Sequence, residues 1–172
     1  MNSFWPAEWE LTPLENIAHV STGCPYRTFD YPEDYLNEVL LIDHINEGSI
    51  EISEPKFMKI SEREIVKYKL KKDDLVFAHR TSPKQLGKIA RFQSAKTVIH
   101  TANFVRISPM DLRDSPLIEQ VLKIYKLRGL FSELSKAYPN VNSLSLAQIK
   151  QIEIPRINLS AMAAISQLCE SF

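Results

Sequence analysis

Residues 67–91 read KYKLKKDDLVFAHRTSPKQLGKIAR, and this stretch decides the fold. The apolar run that begins at Leu75 predicts a strand over 75–79, and the residues at 88–92 predict a second strand running back. A polar, basic loop connects the two strands. Its Arg, Lys, Gln, Ser and Thr side chains are types that contact phosphates and base edges in DNA. A solvated hairpin with a charged tip is the alternative that these residues alone leave open.

Strand and helix signals continue on both sides of this hairpin. Alternation of apolar and polar residues predicts further strands at 16–21, 38–43, 49–52, 97–100 and 103–107. Helix starts are indicated by two capping boxes, Ser61 with Glu64 and Ser145 with Gln148, and by Ser115 as a capping residue before Pro116. The first of these helices is predicted to end near Tyr68 and the second near Gly129. A last helix is predicted from about Ser160 to the C-terminus.

The net charge of the 172 residues is zero, but the charges are segregated along the chain. Residues 1–53 hold ten acidic residues and one basic residue, whereas residues 54–106 hold thirteen basic and five acidic ones. Such asymmetry indicates either a surface built to meet an anion or two parts that neutralise each other in the fold. A hydrophobic content of 44% in a chain of this length is typical of one domain with one substantial core.

Several classes of protein are disfavoured by the composition. Cys24 and Cys169 have no metal-ligand spacing, so we expect neither a zinc site nor a disulfide scaffold. No secretory signal and no apolar stretch of membrane-spanning length is present, so we expect a cytoplasmic protein without a membrane partner. Phosphate-binding loop motifs are absent. The four histidines occur singly on predicted strands, which is more typical of structural residues than of a catalytic site.

One constellation of residues is compatible with an enzyme. Asp43 together with Glu54 and Lys56 resembles the metal-binding core of restriction-type nucleases, in which two carboxylates hold a divalent ion and the lysine orients water. Such a site requires a strand residue with a free N–H at the position of Pro55, and proline has no N–H. A metal-dependent nuclease is therefore the enzymatic alternative.

The central stretch also resembles a known family. Residues 72–78, KDDLVFA, followed by LGK at 86–88, are similar to the target-recognition domain of type I restriction-modification specificity (S) subunits. Asp73 replaces the family's glycine, and we expect Asp73 to adopt the same left-handed turn conformation. Further segments agree with the family in order: Trp9 with 14–18 and 22–23, then 39–48, then 144–155.

The resemblance implies an α/β (α+β) fold. It would consist of a twisted, partly barrel-like mixed sheet with flanking helices over residues 1–157, followed at 158–172 by the start of a C-terminal spacer-type helix. It also implies a non-catalytic, sequence-specific DNA-binding subunit, with methylation and cleavage assigned to partner subunits. The expected partners are double-stranded DNA, the methyltransferase subunit and a restriction or translocase subunit. Pairing with a second half-subunit and homodimerisation both remain open.

No catalytic residue, metal ligand or cofactor, including S-adenosylmethionine and ATP, is predicted for this chain. A scaffold or decoy that holds the modification subunit without touching DNA is the third hypothesis. Under the DNA-binding hypothesis, the expected phosphate contacts are Lys67, Lys69, Lys71, Lys72 and Arg91. The expected base contacts are Arg80, Ser82, Lys84 and Gln85, together with Tyr26 and Arg27. The same interface is expected to include His79, Thr81 and Lys88.

Overall fold

The computed structural model describes residues 5–25, 37–46, 48–139, 141–157 and 161. The strands are β1 Leu11–Pro13, β2 Ala18–Thr22, β3 Glu38–Leu40, β4 Lys56–Phe57, β5 Leu75–Ala78, β6 Arg80–Thr81, β7 Ile89–Arg91, β8 Val98–His100, β9 Phe104–Pro109, β10 Lys136–Tyr138, β11 Val141–Ser143 and β12 Glu153–Pro155. The α-helices are α1 Glu62–Tyr68, α2 Ser115–Leu127, α3 Leu130–Leu134 and α4 Leu146–Lys150. Short 3-10 helices span Leu14–Asn16, Ile42–His44 and Leu112–Asp114. Within these ranges, no helix has the length and apolarity that crossing a membrane requires.

Strand β5 lies inside a four-stranded antiparallel sheet with the order β2-β9-β5-β7. All four of its residues are buried. Because successive side chains of a strand point to opposite faces, Leu75 and Phe77 enter one core while Val76 and Ala78 enter another. The unbroken apolar run in the sequence therefore reflects a strand that is covered on both faces.

The first core lies between this sheet and helix α2, which contributes Ile118, Val121 and Leu122. Each of these side chains is fully buried, and such burial stabilises a fold by about 2 kcal/mol per side chain. On the other face, Phe92 and Phe104 fill the second core. The central sheet is thus held from both sides, which makes it a rigid support for the loops at its ends.

The remaining strands form three smaller sheets. Strands β1 and β12 pair near the two ends of the domain, β10, β11 and β6 form a second group, and β4, β3 and β8 form a third. In the third group, β3 and β8 are parallel. The α+β fold class is confirmed, and the strands of the described residues pair in four sheets.

Some element predictions hold and others are wrong. Both predicted capping boxes are present: Ser61 with Glu64 starts α1, and Ser145 with Gln148 starts α4. Ser115 does not cap α2 but is its first residue, and its hydroxyl donates to the carbonyl oxygen of Asp73 (2.8 Å). Segment 49–52 is not a strand, because only an isolated bridge joins Ile50 to the chain at Ile45.

The end of one predicted strand also differs. The strand predicted at 38–43 stops at Leu40 and continues as the 3-10 helix Ile42–His44. The helix predicted from about Ser160 lies outside the described residues, apart from the helical Ala161.

Candidate nucleic-acid interface

The basic loop of residues 79–88, here called the tip loop, leaves the end of β5 and returns as β7. Two backbone hydrogen bonds close its base: the Ala78 N–H donates to Lys88 O (2.8 Å) and the Gly87 N–H donates to Ala78 O (2.9 Å). Gly87 has a φ of +77°, and a Cβ there would lie 2.3 Å from Cδ2 of Phe131. The glycine of the Leu-Gly-Lys segment is therefore required by backbone conformation and by packing.

The tip loop carries an apolar anchor as well as polar side chains. The amides of Gln85 and Leu86 both donate to Ser82 O, at 3.0 and 3.1 Å, which folds the tip into a tight turn. Leu86 is 3% exposed and packs in the first core. The anchor fixes the turn while Ser82 and Lys84 remain exposed and Gln85 half-buried.

Strand β6 joins the start of the tip loop to a hairpin from the last third of the chain. Arg80 lies opposite Ser143 and Thr81 lies opposite Asn142 on β11. Strand β11 pairs in turn with β10, where Lys136 is the other neighbour of Ser143. The structure thus brings the hairpin β10–β11 to the predicted interface, a neighbour that the sequence analysis missed. The only signal was the turn dipeptide Pro139-Asn140 between two short polar stretches.

His79 holds the three-stranded sheet β10-β11-β6 in position. Its Nδ1 lies 2.8 Å from Leu144 O and its Nε2 lies 3.0 Å from Ala102 O. Its backbone N–H donates to Asn103 O (3.1 Å), and its carbonyl accepts from the Leu144 N–H (2.9 Å). His79, a predicted interface residue, is half-buried, and its hydrogen bonds join three segments of the chain.

The cationic groups at the tip are largely uncompensated. Arg80 and Lys84 are exposed, and neither forms an ion pair with any residue in the described ranges. Lys88 differs, because its Nζ donates to Ile45 O (3.0 Å) and so attaches the neighbouring segment to the loop. The tip therefore presents positive charge to solvent through Arg80 and Lys84.

The lysine run before β5 lies at the other end of that strand. Lys71 and Lys72 are exposed in the turn that precedes Leu75, and Lys67 is exposed at the end of α1 with its Nζ 5.0 Å from the Tyr68 ring centroid. Lys69 is half-buried, and its carbonyl accepts from Arg106 (2.8 Å). Since β5 has four residues, this group lies roughly 13 Å along the strand from the tip loop.

Arg91 belongs to the lysine end of β5 and is already paired. It lies opposite Leu75, with its guanidinium 3.6 Å from a Glu119 carboxylate oxygen and 3.9 Å from one of Asp73. Glu119 is nearly buried and also pairs with Lys123 (2.8 Å). These carboxylates offset part of the charge that Arg91 could offer to a phosphate.

Five other predicted residues lie away from the tip loop in sequence. Tyr26 and Arg27 lie outside the described residues. Asp43, Glu54 and Lys56 are all exposed, on the 3-10 helix, in the following loop and on β4. In the described part of the chain, no group of three or more His, Cys, Asp or Glu side chains is arranged to hold a metal ion. The described residues therefore provide no support for the nuclease hypothesis.

No model of a protein family matches the chain. A protein of Methanocaldococcus jannaschii, named as the type I restriction enzyme MjaX specificity subunit, is 24% identical over 171 residues, covering 97% of this chain. The match spans 40% of that relative's length.

Solved structures show the same relationship at the level of fold. The S subunit of a type I restriction-modification system from M. genitalium superimposes with a TM-score of 0.60 and 14% identity, over 96% of this chain and 39% of that chain. The HsdS subunit from Thermoanaerobacter tengcongensis gives 0.62 and 14%, over 99% and 38%. The type IIG restriction endonuclease BpuSI gives 0.61 and 10%, over 94% and 26%.

The resemblance inferred from the strand motif is confirmed by these matches. They cover nearly the whole chain, whereas the chain spans about two fifths of the specificity subunits it matches. In sequence and fold, the chain is therefore a relative of type I restriction-modification specificity subunits and corresponds to a single domain of them.

Proposed function

We propose that this chain is a non-catalytic domain that recognises a DNA sequence for a type I restriction-modification enzyme. The observation that carries the proposal is the exposed, uncompensated tip loop on a sheet that is packed on both faces. A rigid support matters because reading bases requires side chains held at fixed positions in a groove. The relatedness to specificity subunits supports the same assignment.

In this proposal the tip loop and the lysine end of β5 have different tasks. Arg80, Lys84 and Gln85, with Ser82, would read base edges, since Arg and Lys pair with guanine and Gln pairs with adenine. Lys67, Lys71 and Lys72 would contact phosphates, which fix the register of a domain on the duplex without reading sequence. Tyr26 and Arg27 remain predicted base contacts.

The test is selection of bound sequences from a random duplex pool, followed by affinity measurements on the selected duplex. Lys84→Ala should weaken binding to the selected duplex by about tenfold, because a base contact of this type contributes about 1–3 kcal/mol of discrimination. Its affinity for an unrelated duplex should fall much less. Lys56→Ala removes the same charge from the separate sheet β4-β3-β8 and serves as the control. If the selection recovers no preferred sequence and the chain shows no salt-sensitive binding to duplex DNA, the proposal is contradicted and a scaffold or decoy is favoured.

The partners belong to the same proposal. We infer that a methyltransferase subunit and a restriction or translocase subunit supply the chemistry, and that a second recognition unit joins by pairing of half-subunits or homodimerisation. A cytoplasmic location is part of this assignment. Neither S-adenosylmethionine nor ATP should raise the melting temperature of the isolated chain, since a ligand that binds only the folded state must raise it. Magnesium-dependent plasmid cleavage that Asp43→Ala abolishes would instead establish the nuclease.

A further inference from the structure

We propose that Arg80, Ser143 and Lys136 form a binding site for one phosphate of the duplex backbone, here called the β11 row. The inference rests on the proposed function. It moves Arg80 from the base contacts to the phosphate contacts and adds a contact from the hairpin β10–β11. Neither Ser143 nor Lys136 belongs to the central stretch that carries the family resemblance.

The strand register aligns the three side chains. Ser143 lies directly opposite Arg80 on one side and directly opposite Lys136 on the other. Residues opposite each other in antiparallel strands point to the same face of the sheet. The spacing between neighbouring strands places a hydroxyl donor between two cations that are about 10 Å apart at the backbone. A phosphate above Ser143 could accept from the hydroxyl and from both cations.

The β11 row lines an open cleft of about 560 Å³ whose other walls include Val141 and Gln148. Among the residues that the structure describes, none that lines this cleft carries a carboxylate. Neither Arg80 nor Lys136 forms an ion pair with any residue for which the structure gives a position. The described part of the chain therefore does not neutralise the positive potential in the cleft, and an unneutralised positive potential attracts a backbone phosphate.

The position of the β11 row connects it to base reading. Arg80 lies near the start of the tip loop and is joined to Ser82 through Thr81, so an anchored phosphate would set where Ser82 and Lys84 enter the groove. His79 holds the same strand against Leu144 and Ala102 through its ring, so the row cannot shift independently of the central sheet. The β11 row is thus placed to orient the tip on the duplex.

The salt dependence of binding separates a phosphate contact from a structural role. Each neutralised phosphate contributes about −0.9 to the slope of log affinity against log salt concentration. Lys136→Ala should make that slope shallower by about this amount, so its affinity loss between about 50 and 200 mM salt should be roughly threefold smaller than for the native chain. Lys136→Arg should retain the native slope, and Ser143→Ala should weaken binding equally for selected and unrelated duplexes.

Three outcomes distinguish this inference from the function on which it rests. A slope that Lys136→Ala makes shallower and that Lys56→Ala leaves unchanged supports the β11 row. If Lys84→Ala weakens binding but Lys136→Ala leaves the slope as it was, the β11 row is wrong and the proposed function stands. If the native chain binds no duplex, both fail. Melting temperatures of the variants, together with Lys136→Arg, show whether any loss reflects misfolding.

Discussion

At the scale of single residues, two left-handed glycines differ in what surrounds them. Gly87 and Gly129 have φ values of +77° and +79°. A Cβ at Gly87 would meet the ring of Phe131, whereas nothing lies within 4 Å of a Cβ at Gly129. Phe131 cannot easily move away, because it is buried and packs edge-to-face on Phe77 with ring centroids 5.0 Å apart.

Alanine substitutions at Gly87 and Gly129 should separate the cost of the left-handed backbone from the cost of the clash with Phe131. Gly129→Ala should lower the free energy of unfolding by about 1 kcal/mol, the cost of a left-handed backbone with a side chain. Gly87→Ala should cost about 2 kcal/mol more, because overpacking a core adds strain. Urea denaturation of both variants measures the difference. Equal losses would show that Phe131 gives way freely and that the loop base does not depend on this contact.

Burial strongly affects the ionisation of His100. It is completely buried, and burial lowers the pKa of His100 from 6.5 to about 4, against the raising effect of its hydrogen bond to Tyr68 O. Its Nδ1 lies 2.6 Å from that carbonyl oxygen. The folded chain therefore holds the imidazole neutral with the proton on Nδ1, since a carbonyl can only accept.

This burial predicts loss of stability in mild acid. Between pH 6.5 and about 4 the unfolded chain binds a proton on His100 that the folded chain does not, so the free energy of unfolding falls as the pH falls through this window. The loss attributable to His100 should approach about 3 kcal/mol at pH 4. Urea denaturation from pH 7 to 4 measures it, with His100→Gln as the reference. Parallel curves for the native chain and the variant would contradict the prediction.

At the scale of elements, the turn before β5 depends on an aspartate in a conformation that favours glycine. Asp73 has a φ of +69°, the only positive value among the non-glycine residues that the structure describes. Its carboxylate accepts from Gln93 Nε2 (2.8 Å) and lies 3.9 Å from Arg91. Its backbone N–H donates to Phe92 O, and this hydrogen bond holds the turn beside the end of β7.

Two substitutions isolate the backbone contribution of this turn. Asp73→Gly and Asp73→Ala both remove the carboxylate contacts, so the difference between them reports the cost of the left-handed conformation. The glycine variant should be more stable than the alanine variant by about 0.5 to 1 kcal/mol, because the strain of alanine exceeds the entropy lost by glycine. Thermal or urea unfolding of the pair measures it. An alanine variant at least as stable as the glycine variant would show that the turn relaxes.

At the scale of the whole molecule, the basic residues occupy two ends of the central sheet rather than one patch. The tip loop lies beyond Ala78, whereas Lys71 and Lys72 precede Leu75 and Arg91 lies opposite it. A duplex that contacts both ends must therefore run along β5. The carboxylates of Asp73 and Glu119 reduce the potential at the lysine end but not at the tip.

The two ends can be compared by charge removal. If Lys71 and Lys72 each neutralise a phosphate, the double variant Lys71→Ala with Lys72→Ala should make the salt slope of duplex binding shallower by about 1.8 while leaving the selected sequence unchanged. Both side chains are exposed, so stability should change little. Affinity titrations over a range of salt concentrations measure the slope. A native slope in the double variant would confine the interface to the tip.

The sequence by itself determined the features that local interactions control. Residues close together in the chain determine the buried strand β5, the return strand β7, the two capping boxes and the left-handed conformation of Asp73. Their sequence patterns can therefore be recognised without the tertiary structure. The family resemblance came from the same local segments.

Only the tertiary structure decided which elements meet. Strand β6 pairs with β11, about sixty residues further along, and this pairing brings Lys136 and Ser143 beside Arg80. Glu119 reaches Arg91 from α2 in the same way. Two-residue and three-residue strands carry almost no periodic signal, and their partners are chosen by how the buried faces of the central sheet pack against α2 and the second core. The composition of the interface therefore depends on packing between distant segments, which no local pattern encodes.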